Sequence, residues 1–281
     1  MKNSNQGKIA LVTGAASGLG KALVLRLADQ GYTVVGADYN QQGFDDIHAE
    51  FKDKGKEIFV VQSNIASLDD VKNLMSVINE KYGRLDLLIN NAGIIHPFSR
   101  VEKIDYATVE RVMSVNFWGT TYMTKEAVPL LKKGDKPALI NVASMGALIP
   151  TPGQAFYCAS KAAVALLTQT LAFELKEEGI DVLLACPGTM QTKIVQNAAY
   201  NEENRESSKD LISALEKSTA GITPDYAAKK IIAALKNRPA QFTIGLDAFV
   251  LTNMHKVLPS LTNKVFARAL KMNPAVKKAL Q

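Results

Sequence analysis

A tyrosine and a lysine stand four residues apart, Tyr157 and Lys161, in the run FYCASKAAV from Phe156 to Val164. On a helix that spacing puts both side chains on one face. Two unit charges about 4 Å apart at an effective dielectric near 20 interact by roughly 4 kcal/mol, so a lysine ammonium could lower a tyrosine pKa by up to about 3 units from ~10. A phenol tuned in that way can give or take a proton near neutral pH. The same spacing describes any amphipathic helix with a core aromatic and a solvated lysine, so the pair alone does not establish chemistry.

A second candidate lies at the start of the chain, where LVTGAASGLGKAL places Gly14, Gly18 and Gly20 between a strand pattern and a helix pattern. Glycine lets backbone approach a pyrophosphate closely, and the free amides of a helix N-terminus donate to it. The spacing is G-x-x-x-G-x-G, not the commoner G-x-G-x-x-G. Eighteen residues beyond Gly20, Asp38 ends the second strand pattern. A carboxylate there accepts from both hydroxyls of an adenosine ribose and repels a 2′-phosphate. No Arg or Lys stands at Ser17 or directly after Asp38 to hold such a phosphate. NAD is therefore favoured over NADP, which stays possible.

These residues need elements to position them. Apolar runs at 8–13, 33–38, 57–63, 85–90, 138–143, 181–185 and 241–244 read as strands. They alternate with helical patterns such as 20–29, which stops at Gly31, and this is the signature of βαβ units and a parallel sheet covered on both faces. The expected fold is α/β: a single-domain Rossmann fold with a doubly wound parallel sheet of about seven strands and a C-terminal helical extension. The expected division is 1–245 for the catalytic and dinucleotide-binding unit and 246–281 for a helical tail. The long polar segment from 188 to 221 is the expected substrate loop.

Composition excludes several classes of function. The 281 residues are 47% hydrophobic and 21% charged, and the net charge of +6 forms no nucleic-acid footprint outside the C-terminus. Cys158 and Cys186, with no charged and apolar leader before them, point to a reduced cytoplasmic protein. No apolar run approaches the roughly 18 residues that span a bilayer. His48, His96 and His255 lack ligand spacing, so no metal is expected. His96 reads as a loop histidine, and the cysteines read as small buried hydrophobes.

Taken together, TGAASGLG (13–20), NNAG (90–93), VNFWG (115–119), INVASMGA (140–147), YCASK (157–161) and PGTMQT (187–192) resemble the short-chain dehydrogenase/reductases in motif and in order, over residues 8 to about 245. The resemblance implies hydride transfer between a nicotinamide and a carbonyl or alcohol. Tyr157 would be the acid/base, and Lys161 would hold the nicotinamide ribose and depress the tyrosine pKa. Ser144 would bind the substrate oxygen together with Tyr157, and Asn116 would support a water relay. The cofactor would also meet Gly14, Ser17, Gly18, Leu19, Gly20, Asp38, Asn64, Ile65, Asn91, Ala92, Gly93, Pro187, Gly188, Met190 and Thr192. Asn64 replaces the family's usual aspartate near adenine, which implies an altered contact and not a lost one. The resemblance also implies a homodimer or homotetramer. Ile94, Ile95, Leu148, Ile149 and Phe156 suggest an apolar or lipid-like substrate.

Two other readings remain. A sugar-nucleotide epimerase or dehydratase would usually show G-x-x-G-x-x-G and a larger C-terminal substrate domain, and neither is present. A silent dinucleotide sensor has no physical need for Asn116, Ser144, Tyr157 and Lys161 together. Beyond Gly245 the chain carries six Lys or Arg and one Asp, with Leu246, Phe249, Val250, Met254, Val257 and Leu258 at helical spacing. A packing or subunit-interface role is favoured for this tail over contact with a membrane surface.

Overall fold

The computed structural model describes residues 5–53, 56, 58–191 and 221–281. Its centre is a parallel sheet of seven strands among the described residues: β1 (Ile9–Thr13), β2 (Thr33–Asp38), β3 (Phe59–Gln62), β4 (Leu87–Asn90), β5 (Ala138–Val142), β6 (Asp181–Pro187) and β7 (Gln241–Ile244). The order is β3-β2-β1-β4-β5-β6-β7, so the winding reverses between β1 and β4. In such sheets the crevice outside the carboxyl ends of the two central strands is where ligands bind.

Helices cover both faces, as the unbroken apolar strands require. On one side pack α1 (Gly18–Asp29), α2 (Gly43–Asp53) and α7 (Pro224–Asn237), whose Leu23, Phe44 and Ile231 share one core cluster with Ala10 and Val12 of β1. On the other side pack α3 (Leu68–Tyr82) and α5 (Thr120–Leu131), whose Leu74 and Met123 share a second core cluster with Ile9 and Leu11. Alternate β1 side chains thus feed opposite layers, the period-two pattern of a pleated strand. Local chemistry sets the helix ends: Ser67 accepts from Asp70 N at the start of α3, and Gly83 closes that helix at φ 70°, where a glycine carries no Cβ penalty.

Three further features bear on the site. Between α4 (Tyr106–Met113) and α5 the chain makes a π-helical turn, Ser114–Gly119. The helix α6 (Ala155–Glu174) packs against β5 and β6. By length and composition alone α6 could cross a membrane, contrary to the expectation that no such run exists. Its Ser160, Lys161, Val164 and Thr168 are buried against the fold, while Leu166 and Phe173 face outward. After β7 come α8 (Leu246–Val257), α9 (Pro259–Lys271) and α10 (Pro274–Ala279).

Candidate active site

A cavity of about 700 Å³ opens at the carboxyl ends of the strands. The turn after β1 forms one wall with Gly14, Ser17, Gly18 and Leu19. Gly14 has φ +66°, and a Cβ there would come within 2.9 Å of Ala92 Cα. Gly20 does not line the cavity; it lies inside α1, where a Cβ would fall 1.9 Å from Gly14 O. Its smallness lets the helix sit against the turn.

Asp38 lines the same cavity, and its two carboxylate oxygens accept from Ala16 N at 2.8 Å and Asn40 N at 2.9 Å. Those bonds orient the carboxylate and leave it further lone pairs. Arg111 and Lys161 are the only cations among the described lining residues. Asn64 and Ile65 also line the wall, and Asn64 Oδ1 accepts from Ala66 N at 3.1 Å. Asn91, Ala92 and Gly93 lie between the two ends of the cavity. Asn91 Nδ2 donates to Thr13 O at 2.9 Å, and Thr13 Oγ1 accepts from the Asn91 and Ala92 amides, so this segment braces β1.

At the other end Ser144, Tyr157 and Lys161 meet Pro187, Gly188 and Met190. Ser144 follows β5, where Gly146 N donates to its Oγ at 3.1 Å. Tyr157 is in the first turn of α6. Burial pushes its phenol up to about 12, and a hydrogen bond with Ser144 works in the opposite direction. Lys161 is not among the groups that move Tyr157. Its Nζ donates to Val142 O at 3.0 Å, and burial pulls it down to about 8. The phenol stands above its ordinary value because desolvation of the phenolate outweighs the hydrogen bond with Ser144.

Asn116 lies beneath the cavity wall and is wholly buried in the π turn. Its Nδ2 donates to Ile94 O and to Ser160 Oγ, each at 2.9 Å, and its Oδ1 accepts from Ile94 N at 2.8 Å. A Cβ on Gly93 would lie 3.0 Å from Lys161 Nζ and 3.2 Å from Asn116 Oδ1, so a side chain there would crowd both groups. Thr192 lies outside the described residues, as does 192–220 of the expected substrate loop. Of the apolar residues expected on the substrate side, Ile94 lines the cavity. Ile149 packs with Ala248 of α8, while Phe156 meets His96 edge-on.

Two contributors, the Asn90–Asn141 chain and Asp247, were not read from the sequence. Asn90 Nδ2 donates to Asn141 Oδ1 and Thr124 Oγ1, and Asn141 Nδ2 donates to Thr168 Oγ1. This buried chain ties β4 and β5 to α5 and α6 beneath the site; paired asparagines in adjacent motifs were the available signal. Asp247 of α8 accepts from Thr189 N at 2.7 Å and fills the space a Cβ on Gly188 would need. Nothing in the sequence marks that contact. His96 is fully buried with Nδ1 at 2.7 Å from Pro97 O, which fixes the proton on Nδ1 and leaves Nε2 an acceptor without a partner. Cys158 and Cys186 are free thiols whose pKa values burial raises, which disfavours the reactive thiolate.

A family model described as short chain dehydrogenase matches residues 8–204. The chain belongs to the short-chain dehydrogenase/reductase family. It is 30% identical over 227 residues to 11-beta-hydroxysteroid dehydrogenase A of Sesamum indicum, covering 80% of this chain and 65% of that protein, just under two thirds of its length. The 3-ketoacyl-(acyl-carrier-protein) reductase of Brucella melitensis complexed with NADH is 30% identical and superposes with a TM-score of 0.72 over 86% of this chain and 98% of that one. A Burkholderia phymatum member in complex with NAD shares the fold with a TM-score of 0.82 over 92% and 95% of the two chains, at 23% identity. The Thermococcus sibiricus alcohol dehydrogenase, 21% identical with a TM-score of 0.72 over 84% and 95%, is complexed with 5-hydroxy-NADP. The chain is an oxidoreductase of this family, with the Rossmann-type sheet that its dinucleotide-bound relatives share. The glycine turn, the oriented Asp38 and the bare backbone at Gly93 make a cradle that fits a nicotinamide dinucleotide.

Proposed function

We propose that this protein is an NAD(H)-dependent dehydrogenase or reductase that interconverts a carbonyl compound and its secondary alcohol. The observation that carries the reading is one cavity whose wall holds the glycine turn and Asp38 at one end and Ser144, Tyr157 and Lys161 at the other. A bound dinucleotide supplies or accepts the hydride. Gly14, Ser17, Gly18 and Leu19 would hold its pyrophosphate, Asp38 its adenosine ribose, Lys161 its nicotinamide ribose, and Pro187, Gly188 and Met190 its nicotinamide end.

The protein's own part is proton management and positioning. Tyr157, neutral with its pKa raised to about 12, is a donor to a carbonyl oxygen in the reduction direction. Ser144 Oγ beside it would share that oxygen, and Asn116 would keep the Ile94 backbone and Ser160 in register beneath them. Ile94, Ala143 and Met190 on the same wall support an apolar substrate. Two free cysteines support work in a reducing cytoplasm.

The test is a calorimetric titration of NADH against NADPH, followed by a carbonyl panel with the tighter cofactor. Trp118 is stacked on Tyr122 and does not line the cavity, so its emission is not the readout of choice. Tighter binding of NADH by at least about tenfold is expected from a carboxylate facing a 2′-phosphate. Tighter binding of NADPH would reverse the role given to Asp38.

A further inference from the structure

The helices that follow β7 carry their amphipathicity the wrong way round for a packing element. In α8 the inner face is Ala248 and Thr252, both buried, with Leu251 against Met145 and Ile149. The large apolar residues Leu246, Phe249, Val250, Met254, Val257 and Leu258 recur at i, i+3, i+4, i+8, i+11 and i+12 and all face solvent, with Leu246 78% and Val257 77% exposed. On α9 the exposed face interleaves Leu261, Val265 and, just beyond its end, Met272 with Lys264, Arg268 and Lys271. Nine of the seventeen large apolar side chains exposed among the described residues fall within 246–272, so this is a patch and not scatter.

Charge decides what such a patch fits. The segment from 245 onward holds six Lys or Arg and a single carboxylate, Asp247. That carboxylate is turned inward onto Thr189 N. A second copy docked through the same face would set cations against cations, because a two-fold interface is self-complementary. A surface that is apolar inside and anionic at its boundary accepts both features at once: the apolar stripe enters the acyl boundary while the lysine and arginine stems reach the headgroups.

We infer that the exposed face of α8 and α9 docks the protein on anionic phospholipid membranes. The inner face of the same helices packs on Met145 and Ile149, immediately after Ser144, so docking holds the substrate side of the cavity close to the lipid boundary. The binding claim stands on surface residues alone and is independent of the reaction assigned above.

The experiment is cosedimentation of the full chain with vesicles of phosphatidylcholine alone and of phosphatidylcholine mixed with phosphatidylserine, at low and high salt. The full chain should partition at least about tenfold more strongly onto the anionic vesicles at low salt, since each basic residue near such a surface contributes on the order of fivefold. The charge-reversed variant K264E/R268E/K271E should lose that preference, and L246S/F249S/V257S should lose binding to both vesicle types. All substituted positions are exposed, and an unchanged thermal midpoint verifies that the variants fold. Failure of the full chain to bind either vesicle type, or equal binding by the parent and both variants, overturns the inference. So does light scattering in which the serine variant, and not the parent, is the smaller species, since a second copy then covers the face.

Discussion

Tyr157 is held as a neutral phenol by its surroundings, with burial raising it and Ser144 lowering it. Its identity was legible in YCASK, but its ionisation was not, because desolvation depends on what the fold places around the ring. The same holds for His96, which reads as a loop histidine yet is fully buried. Burial lowers its pKa from the ordinary 6.5, with the Pro97 carbonyl opposing. The unfolded chain therefore takes up a proton below about pH 6.5 that the folded chain resists, so stability is fully present above that pH and declines as pH falls toward the lowered value. Thermal midpoints measured against pH should fall less steeply on the acid side for His96→Phe than for the parent. Parallel curves for the two proteins would remove His96 as the cause.

The strands lie within two residues of the positions their apolar runs predict, with β6 running on to Pro187. They were legible because strands buried on both faces leave no polar interruption. The π turn at Ser114–Gly119 was not, since an i to i+5 bond pattern has no residue signature, yet it is the element that turns Asn116 inward. The grip of α8 on the Pro187–Met190 turn was equally hidden, because Asp247 reaches Thr189 across 58 residues of chain. Charge-assisted hydrogen bonds of this kind contribute about 1.5–3 kcal/mol, so Asp247→Ala should raise the NADH dissociation constant roughly tenfold or more. Asp247→Asn keeps an acceptor oxygen and should recover part of the loss. Equal NADH affinity for all three proteins by calorimetry would show that Asp247 does not position the turn.

Across the whole molecule, the sheet order places its reversal between β1 and β4, and the glycine turn, Asn91 and the Tyr157 helix converge there. The outer side of α6 carries Leu166 and Phe173, the latter 80% exposed, with Ala159 and Ala162 also exposed on this helix. Small residues beside large apolar ones on a long helix suit close packing of a second copy, so we expect a dimer or tetramer through α6. Leu166→Asp with Phe173→Asp should shift the light-scattering mass to a smaller species, and a parent already monomeric would contradict this.

The proposed reaction depends most heavily on Tyr157 as the proton donor. Its most direct test compares the parent and Tyr157→Phe, with NADH binding measured by calorimetry and turnover measured on the best carbonyl compound of the panel. NADH affinity should stay unchanged within about threefold and turnover should fall at least a hundredfold, roughly the lower end of an acid/base contribution. Near-parental turnover by the phenylalanine variant would contradict it.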